Sequence, residues 1–249
     1  MGEGGEDLGR ESGRVTEPVV LRVLSGGAAK GLVGALRSIF LAATGAGIEG
    51  TFGAVGAMKE RLLAGEPCDV MIVTATLIDE LTAGGHLVAG SAAPLGRVRT
   101  GIAVRMGDAL PGIADRASLA ATLRASKGIY FPDPQRATAG IHFDNVLRAL
   151  GIDADVAPYR RIYPNGATAM LHLAQSAEPR AIGCTQVTEI IYTDGVALAG
   201  PLPKEFELAT VYTAAVCSNA RDPVRARELV ALLSGAESAA IRAEGGFEV

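Results

Sequence analysis

The chain has 249 residues, of which 49% are hydrophobic and 20% charged, so it is long and apolar enough to bury a sizeable core in one or two domains. This balance excludes a disordered chain, which needs low hydrophobicity and high net charge. A net charge of -4 gives no basic footprint for nucleic acid, and three scattered cysteines form no C-x-x-C motif. We therefore expect a small anionic ligand held by a local site, with no cofactor and no metal.

Residues 1–17 form an acidic, glycine-rich leader that we expect to be disordered. The leader lacks the basic start and the apolar stretch of a secretion signal, and no later run is long enough for a membrane helix. These features predict a cytoplasmic protein, or a periplasmic one if the true start codon lies upstream.

Strands and helices alternate after the leader. The first half is predicted to contain strands over 19–24, 48–52 and 69–73, and helices over 28–42, 54–63 and 77–82. An extended stretch over 95–105 leads into a second alternating series, and the chain ends with a strand over 210–217 and helices over 223–233 and 237–244. This order predicts an α/β protein with helices on both faces of a parallel sheet. The returning strand predicts lobe 1 from 18–98 plus 209–249, and lobe 2 from 99–208.

Five short segments mark the junctions where a predicted strand gives way to a helix. They are Ser25–Lys30, Gly53–Gly56, Asp133–His142, Tyr163–Thr168 and Cys184–Glu189. Taken singly, Ser25–Lys30 can be a tight turn, His142 a packed or capping residue and Asn165 a helix cap. A helix N-terminus, however, offers free N–H groups and a positive dipole end, and such junctions line the crevice of an open α/β sheet. Together they predict an anion cage.

The predicted ligand-binding residues lie at these junctions and on the extended stretch. They are Ser25, Gly26, Gly27, Val55, Arg97, Arg99, Thr100, Thr138, Ala139, Asn165, Thr168 and Gln186. Strand alternation places Arg97 and Arg99 on one face, where two guanidinium groups suit a carboxylate. Solvated edge charges are the alternative for this pair, and a helix N-cap is the alternative for Asn165.

Several motifs resemble the periplasmic molybdate-binding protein family of type II solute-binding proteins. The segment Leu63–Val70 (LAGEPCDV) resembles the family's (I/L)-x-A-G-x-P-A-D-(V/L) pattern, Asp133–Gly140 resembles its D-P…P-A-G loop, and Gly245–Phe247 resembles its Y-G-F ending. The resemblance runs from about residue 19 to residue 247. It implies a type II periplasmic-binding-protein fold, in which two α/β lobes are joined by crossing strands and the ligand lies in a cleft between them.

The departures from this family point to a different ligand. Ala28 and Val55 stand at the positions of two oxyanion-binding serines, and Gln186 stands where the family has a tyrosine. Losing these donors argues against molybdate, because an oxyanion without donors is a buried unpaired charge. The extra donors and cations elsewhere favour a larger polycarboxylate.

This pattern is similar, in fold and ligand chemistry, to the aconitate isomerases, which move a proton across an allylic system. We therefore expect an isomerase of a small unsaturated polycarboxylate, with Lys30, His142 and Glu189 as the acid–base candidates. The alternative is the solute-binding component of an uptake system, which would have a membrane transporter as its partner. A cytoplasmic ligand sensor is a third option.

Overall fold

A computed structural model describes residues 19–249 and contains nine strands and ten α-helices in that range. The strands are β1 Val20–Gly26, β2 Gly47–Gly53, β3 Val70–Thr74, β4 Ala93–Arg105, β5 Ile129–Pro132, β6 Arg160–Tyr163, β7 Ile182–Gln186, β8 Val196–Pro201 and β9 Ala209–Val216. The predicted disordered leader, residues 1–17, lies outside the described residues.

The helices follow the strands in near-regular alternation. They are α1 Lys30–Thr44, α2 Val55–Leu63, α3 Ala75–Ala83, α4 Arg116–Ala125, α5 Thr138–Ala149, α6 Asp153–Val156, α7 Gly166–Ala174, α8 Val187–Ile191, α9 Pro223–Ser234 and α10 Ala239–Glu244. Helix α1 illustrates the pattern: Leu32, Leu36 and Phe40 form its buried face, and the left-handed Gly45 (φ 70°) ends it. The short helices α6 and α8 were not predicted from the sequence, because neither is long enough to show a helical period.

The strands pair in the order β2-β1-β3-β9-β4-β7-β5-β6, with β8 added to β4. Strands β1, β2 and β3 are parallel to one another, as are β5, β6 and β7, whereas β9 and β4 run antiparallel to their neighbours. The arrangement is an α/β fold of the type II periplasmic-binding-protein class, as the sequence predicts.

Strand β4 belongs to both halves of the molecule. Its residues up to Arg99 pair with β9, whereas residues from Thr100 onward pair with β7, and those from Gly101 onward also pair with β8. The buried apolar residues accordingly form a first core from residues 21–98 and 212–247, and second-half cores from residues 102–206. The exact lobe boundaries at 98/99 and 208/209 stay a prediction.

No helix within residues 19–249 has the length and apolar character that crossing a membrane requires. The three cysteines, Cys68, Cys184 and Cys217, are buried and unbridged.

Candidate functional site

A cleft between the two halves collects the carboxyl ends of five strands. Its walls come from the junctions after β1, β2, β5, β6 and β7, together with one side chain of β9. The lining residues are Gly27, Ala28, Gly53, Ala54, Val55, Pro132, Ala137, Thr138, Ala139, Asn165, Gly166, Thr185, Gln186, Glu189 and Tyr212. The cavity volume is about 20 Å³, little more than a water molecule needs, so a larger ligand requires the halves to separate.

Helix starts surround this cleft, as expected for an anion cage. Helices α2 and α5 begin after Ala54 and Ala137, neither of which can cap a helix with its side chain. In α2 the Gly56 N–H donates to the Arg136 carbonyl (3.3 Å), and the other first N–H groups of these two helices have no side-chain cap. Helix α7 differs, because Asn165 Oδ1 accepts hydrogen bonds from the Thr168 backbone N–H (2.8 Å) and hydroxyl (2.9 Å). Asn165 is therefore the side-chain cap of helix α7, and both of its hydrogen bonds are to Thr168.

Glu189 is the most unusual member of the lining. The residue is only 4% exposed, and its carboxylate accepts a hydrogen bond from Thr185 Oγ1 (2.5 Å) and from the backbone N–H groups of Ala167 and Gln186. Burial raises the pKa of the Glu189 carboxyl, while these hydrogen bonds and the positive charge of Lys30 oppose that rise. A buried carboxyl group with a raised pKa takes up a proton more readily than an ordinary carboxylate, which suits a group that accepts and returns a proton.

Two glycines make room for this carboxyl group. A Cβ atom on Gly166 would lie 2.7 Å from Glu189 Cδ, and a Cβ atom on Gly27 would lie 3.2 Å from it. Both distances are shorter than ordinary carbon–carbon contact, which is about 3.5–4.0 Å. Glu189 is therefore held in a cradle formed by the start of α7 and the turn before α1.

The rest of the lining carries little charge. Among residues 19–249, Glu189 and Tyr212 are the titratable groups that line the cleft, and no lysine or arginine does so. Burial, followed by the nearby Glu189, raises the pKa of the Tyr212 phenol, which therefore stays neutral. Helix starts therefore supply positive potential at the lining itself, and Lys30, which does not line the cleft, adds a positive charge near Glu189.

Gln186 brings an unpaired amide to the same place. The side chain is 2% exposed, and neither Nε2 nor Oε1 makes a hydrogen bond within the described chain. The hydroxyl of Thr100, the residue paired with Gln186 across β4 and β7, is likewise buried without a partner. Buried polar groups are rarely left unpaired, so these atoms mark a place for a polar ligand or a water molecule.

Many of the predicted site residues converge on the cleft. Those that line it are Gly27, Val55, Thr138, Ala139, Asn165, Gln186 and Glu189. Ser25, Gly26, Thr100 and Thr168 lie just behind this surface: Ser25 Oγ donates to the Gly26 carbonyl at 2.8 Å, and a Cβ on Gly26 would touch Val55 and Tyr212. The structure thus groups these residues as predicted, while their ligand roles stay predictions.

The cleft lining does not include the predicted residues Arg97, Arg99, His142 and Lys30, and their roles stay predictions. Arg99 Nε lies 2.5 Å from Glu248 Oε1, and the backbone of Arg97 pairs with Glu248, because the end of the chain adds to the edge of β4. His142 Nε2 lies 2.7 Å from the Phe206 carbonyl oxygen, in the packing of the second half. Lys30 is exposed, with Nζ 5.3 Å from the centre of the Tyr192 ring. No clamp of cations therefore faces the cleft among the described residues.

Sequence reasoning placed Gly166 and Thr185 within candidate segments but gave neither a role of its own, and it missed Tyr212. Gly166 had a visible signal, since Asn165-Gly166 directly follows a strand, but its tight approach to Glu189 depends on a contact across 23 positions of the chain. Tyr212 lies on β9, and its side chain lines the cleft between the two halves. The sequence of a buried strand contains no local signal for such a contact.

Comparison with known proteins agrees with this architecture. Residues 21–248 match the family model described as bacterial extracellular solute-binding protein. The chain belongs to this family. As a solute-binding family member it shares its fold with a periplasmic molybdate-binding protein of Azotobacter vinelandii, at a TM-score of 0.77 and 19% identity over 92% of this chain and 99% of that one. The sulfate-binding protein SubI of Mycobacterium tuberculosis superposes at a TM-score of 0.71, with 16% identity over 92% of this chain and 86% of that one.

One curated relative of this solute-binding family member is an enzyme. An aconitate isomerase from a Pseudomonas species is 24% identical over 239 residues, which cover 93% of this chain and 89% of the relative. The similarity to proteins that bind molybdate or sulfate and to an isomerase therefore extends over almost the whole chain.

Proposed function

We propose that the protein binds a small organic acid in the cleft and that Glu189 moves a proton of the bound molecule. The observation that carries this proposal is the position of Glu189: a buried carboxyl group with a raised pKa lies among helix starts that attract anions. A site built only for an ionised oxyanion gains nothing from a carboxylate there, because like charges repel. A proton-transfer site needs such a group.

The chemistry that fits is a 1,3-proton shift in an unsaturated polycarboxylate, as in the aconitate isomerase relative. Ionised Glu189 takes a proton from the CH₂ carbon next to the double bond, and the electron pair spreads over the allylic system. Glu189 then returns the proton to the far carbon of that system, so the double bond moves and atoms balance. Helix starts stabilise the negative charge that develops on the substrate carboxylate.

The test uses proton NMR of trans-aconitate in deuterated water with the purified protein. We expect deuterium at the CH₂ carbon and formation of the cis isomer, and we expect Glu189→Gln to lower the rate by about 10²–10⁴-fold. Glu237→Gln is the matched control, since it makes the same chemical change at a glutamate that is exposed and does not line the cleft. Full activity in Glu189→Gln would exclude Glu189 as the base.

A second function, the solute-binding component of an uptake system, is favoured by the family match and by a lining without lysine or arginine. Such a receptor would stabilise on adding its ligand, by about 2.7 kcal/mol at 100 times the Kd, without any exchange of carbon-bound protons. A thermal-shift series with molybdate, sulfate, malate and trans-aconitate therefore separates the two functions when paired with the NMR assay. A transporter partner and a location outside the cytoplasmic membrane belong to this second function, and a cytoplasmic location to the first.

A further inference from the structure

The unpaired amide of Gln186 limits what the cleft accepts. Within residues 19–249, neither Nε2, a donor, nor Oε1, an acceptor, makes a hydrogen bond of normal distance and angle, and the Tyr212 phenol is the polar group that lies next to the amide. Leaving each such group unpaired costs about 1–3 kcal/mol. The amide is therefore complemented by a ligand group that offers an acceptor and a donor side by side.

A carboxyl group in its acid form is such a group. Its C=O accepts from an amide N–H₂ while its O–H donates to the amide oxygen. An ionised carboxylate, sulfate or molybdate offers acceptors alone and leaves Gln186 Oε1 unpaired. The amide thus distinguishes a protonated carboxyl group from an ionised anion.

Glu189 adds a second constraint, because a ligand carboxylate would share a dry cavity with it. Two carboxylates at such a place cannot both ionise, so one proton is retained by the pair. The groups that face Glu189 are Lys30 from α1, Tyr212 from β9, Thr185 from β7 and the N–H groups of Ala167 and Gln186. Only Lys30 carries a charge, and because its side chain is exposed, solvent screens its effect.

We propose that the ligand carboxyl group and the Glu189 carboxyl group together retain one proton, which lies on the ligand carboxyl group and is donated to Gln186 Oε1, while Glu189 stays ionised beside it. The cleft then takes up one proton with each carboxylate that it binds. This inference rests on the proposed binding of an organic acid, and it applies equally to the isomerase and to the receptor.

Isothermal titration calorimetry of the whole chain with trans-aconitate tests the proton count. Titrations at one pH in PIPES and in imidazole, which differ in ionisation enthalpy, give the number of protons taken up for each ligand bound. We expect close to one near neutral pH, and a Kd that rises about tenfold for each pH unit in the alkaline range. Glu189→Gln, a neutral variant of similar shape, should lose both effects, whereas Glu237→Gln should keep them.

Gln186→Met provides a second variant with a different expected signature. Loss of the amide should weaken binding about tenfold while proton uptake persists, because Glu189 and the ligand still share a cavity. Binding by the wild-type protein without proton uptake would overturn the inference and leave the proposed binding intact. Proton uptake that is undiminished in Glu189→Gln would also overturn it. If the wild-type protein binds no carboxylate between pH 5 and pH 8, the proposed function and the inference both fail.

Discussion

Replacing Gly166 by alanine tests whether the glycine cradle around Glu189 exists. The added Cβ would lie 2.7 Å from Glu189 Cδ, about 1 Å inside ordinary carbon–carbon contact. The carboxyl group must then move away from Thr185 Oγ1, which now donates to it at 2.5 Å. The change therefore combines overpacking with the loss of a buried hydrogen bond.

Each effect can be given a magnitude. Overpacking typically costs about 1–3 kcal/mol, and a hydrogen bond to a charged group contributes about 1.5–3 kcal/mol. Alanine offsets up to about 1 kcal/mol, because it loses less backbone entropy than glycine in a helix. We expect Gly166→Ala to lower the free energy of unfolding by about 2 kcal/mol, which corresponds to a fall of roughly 4–8 °C in Tm for a chain of this size.

The assay is urea unfolding followed by circular dichroism, with Gly34→Ala as the control. Gly34 is exposed within α1, and a Cβ there would have no neighbour within 4 Å, so the same substitution should raise the free energy of unfolding by about 0.5–1 kcal/mol. The two alanine variants should thus shift the urea midpoint in opposite directions. If Gly166→Ala is as stable as the wild-type protein, the carboxyl group of Glu189 does not lie against α7 and the argument from the cradle is wrong.

Three further outcomes are expected. Asp69→Ala should lower the free energy of unfolding by about 3 kcal/mol in urea titrations, because the buried carboxylate accepts from the backbone N–H groups of Arg22 and Arg221, each at 2.7 Å. Cys184 should resist iodoacetamide at pH 8 in the native state and react in urea, because burial raises the pKa of its thiol; rapid native labelling would contradict this burial. The raised pKa of Glu189 means that the folded state binds its proton more tightly than the unfolded state, so its contribution is present at acid pH and lost as pH rises through the folded pKa. The stability of Glu189→Gln relative to wild type should therefore increase with pH above about 4.3 in parallel urea titrations, and a constant difference would contradict the shift.

The sequence predicted the strand-to-helix junctions well, because the signals for them are local. A β-branched run followed by glycine and then by a helical period indicates where β1 ends and α1 begins, and parallel topology then brings such ends to one edge. This reasoning correctly grouped Gly27, Val55 and Ala139 in the cleft.

The side chains that turn away from the cleft could not be predicted in this manner. Strand alternation places Arg97 and Arg99 on one face, but which face meets the cleft depends on the last residues of the chain, where Glu248 pairs with β4. The direction of His142 likewise depends on Phe206, 64 positions later. Such contacts belong to the tertiary fold, and one sequence contains no local signal for them.

The passage of β4 through both halves gives the molecule a mechanical property. The pairing of β4 with β9 ends at Arg99 and Ala209, and its pairing with β7 begins one residue later at Thr100. Backbone hydrogen bonds from Thr100 to Leu208 and from Leu202 to Thr100, each 3.0 Å, tie the outgoing and returning chains together at this point. A rotation here would widen the cleft by twisting a narrow ribbon of extended chain, with every strand keeping its partners and both cores staying packed. Opening for a ligand would then change a few backbone angles near Thr100 and Ala209 and leave the rest of each half as it is.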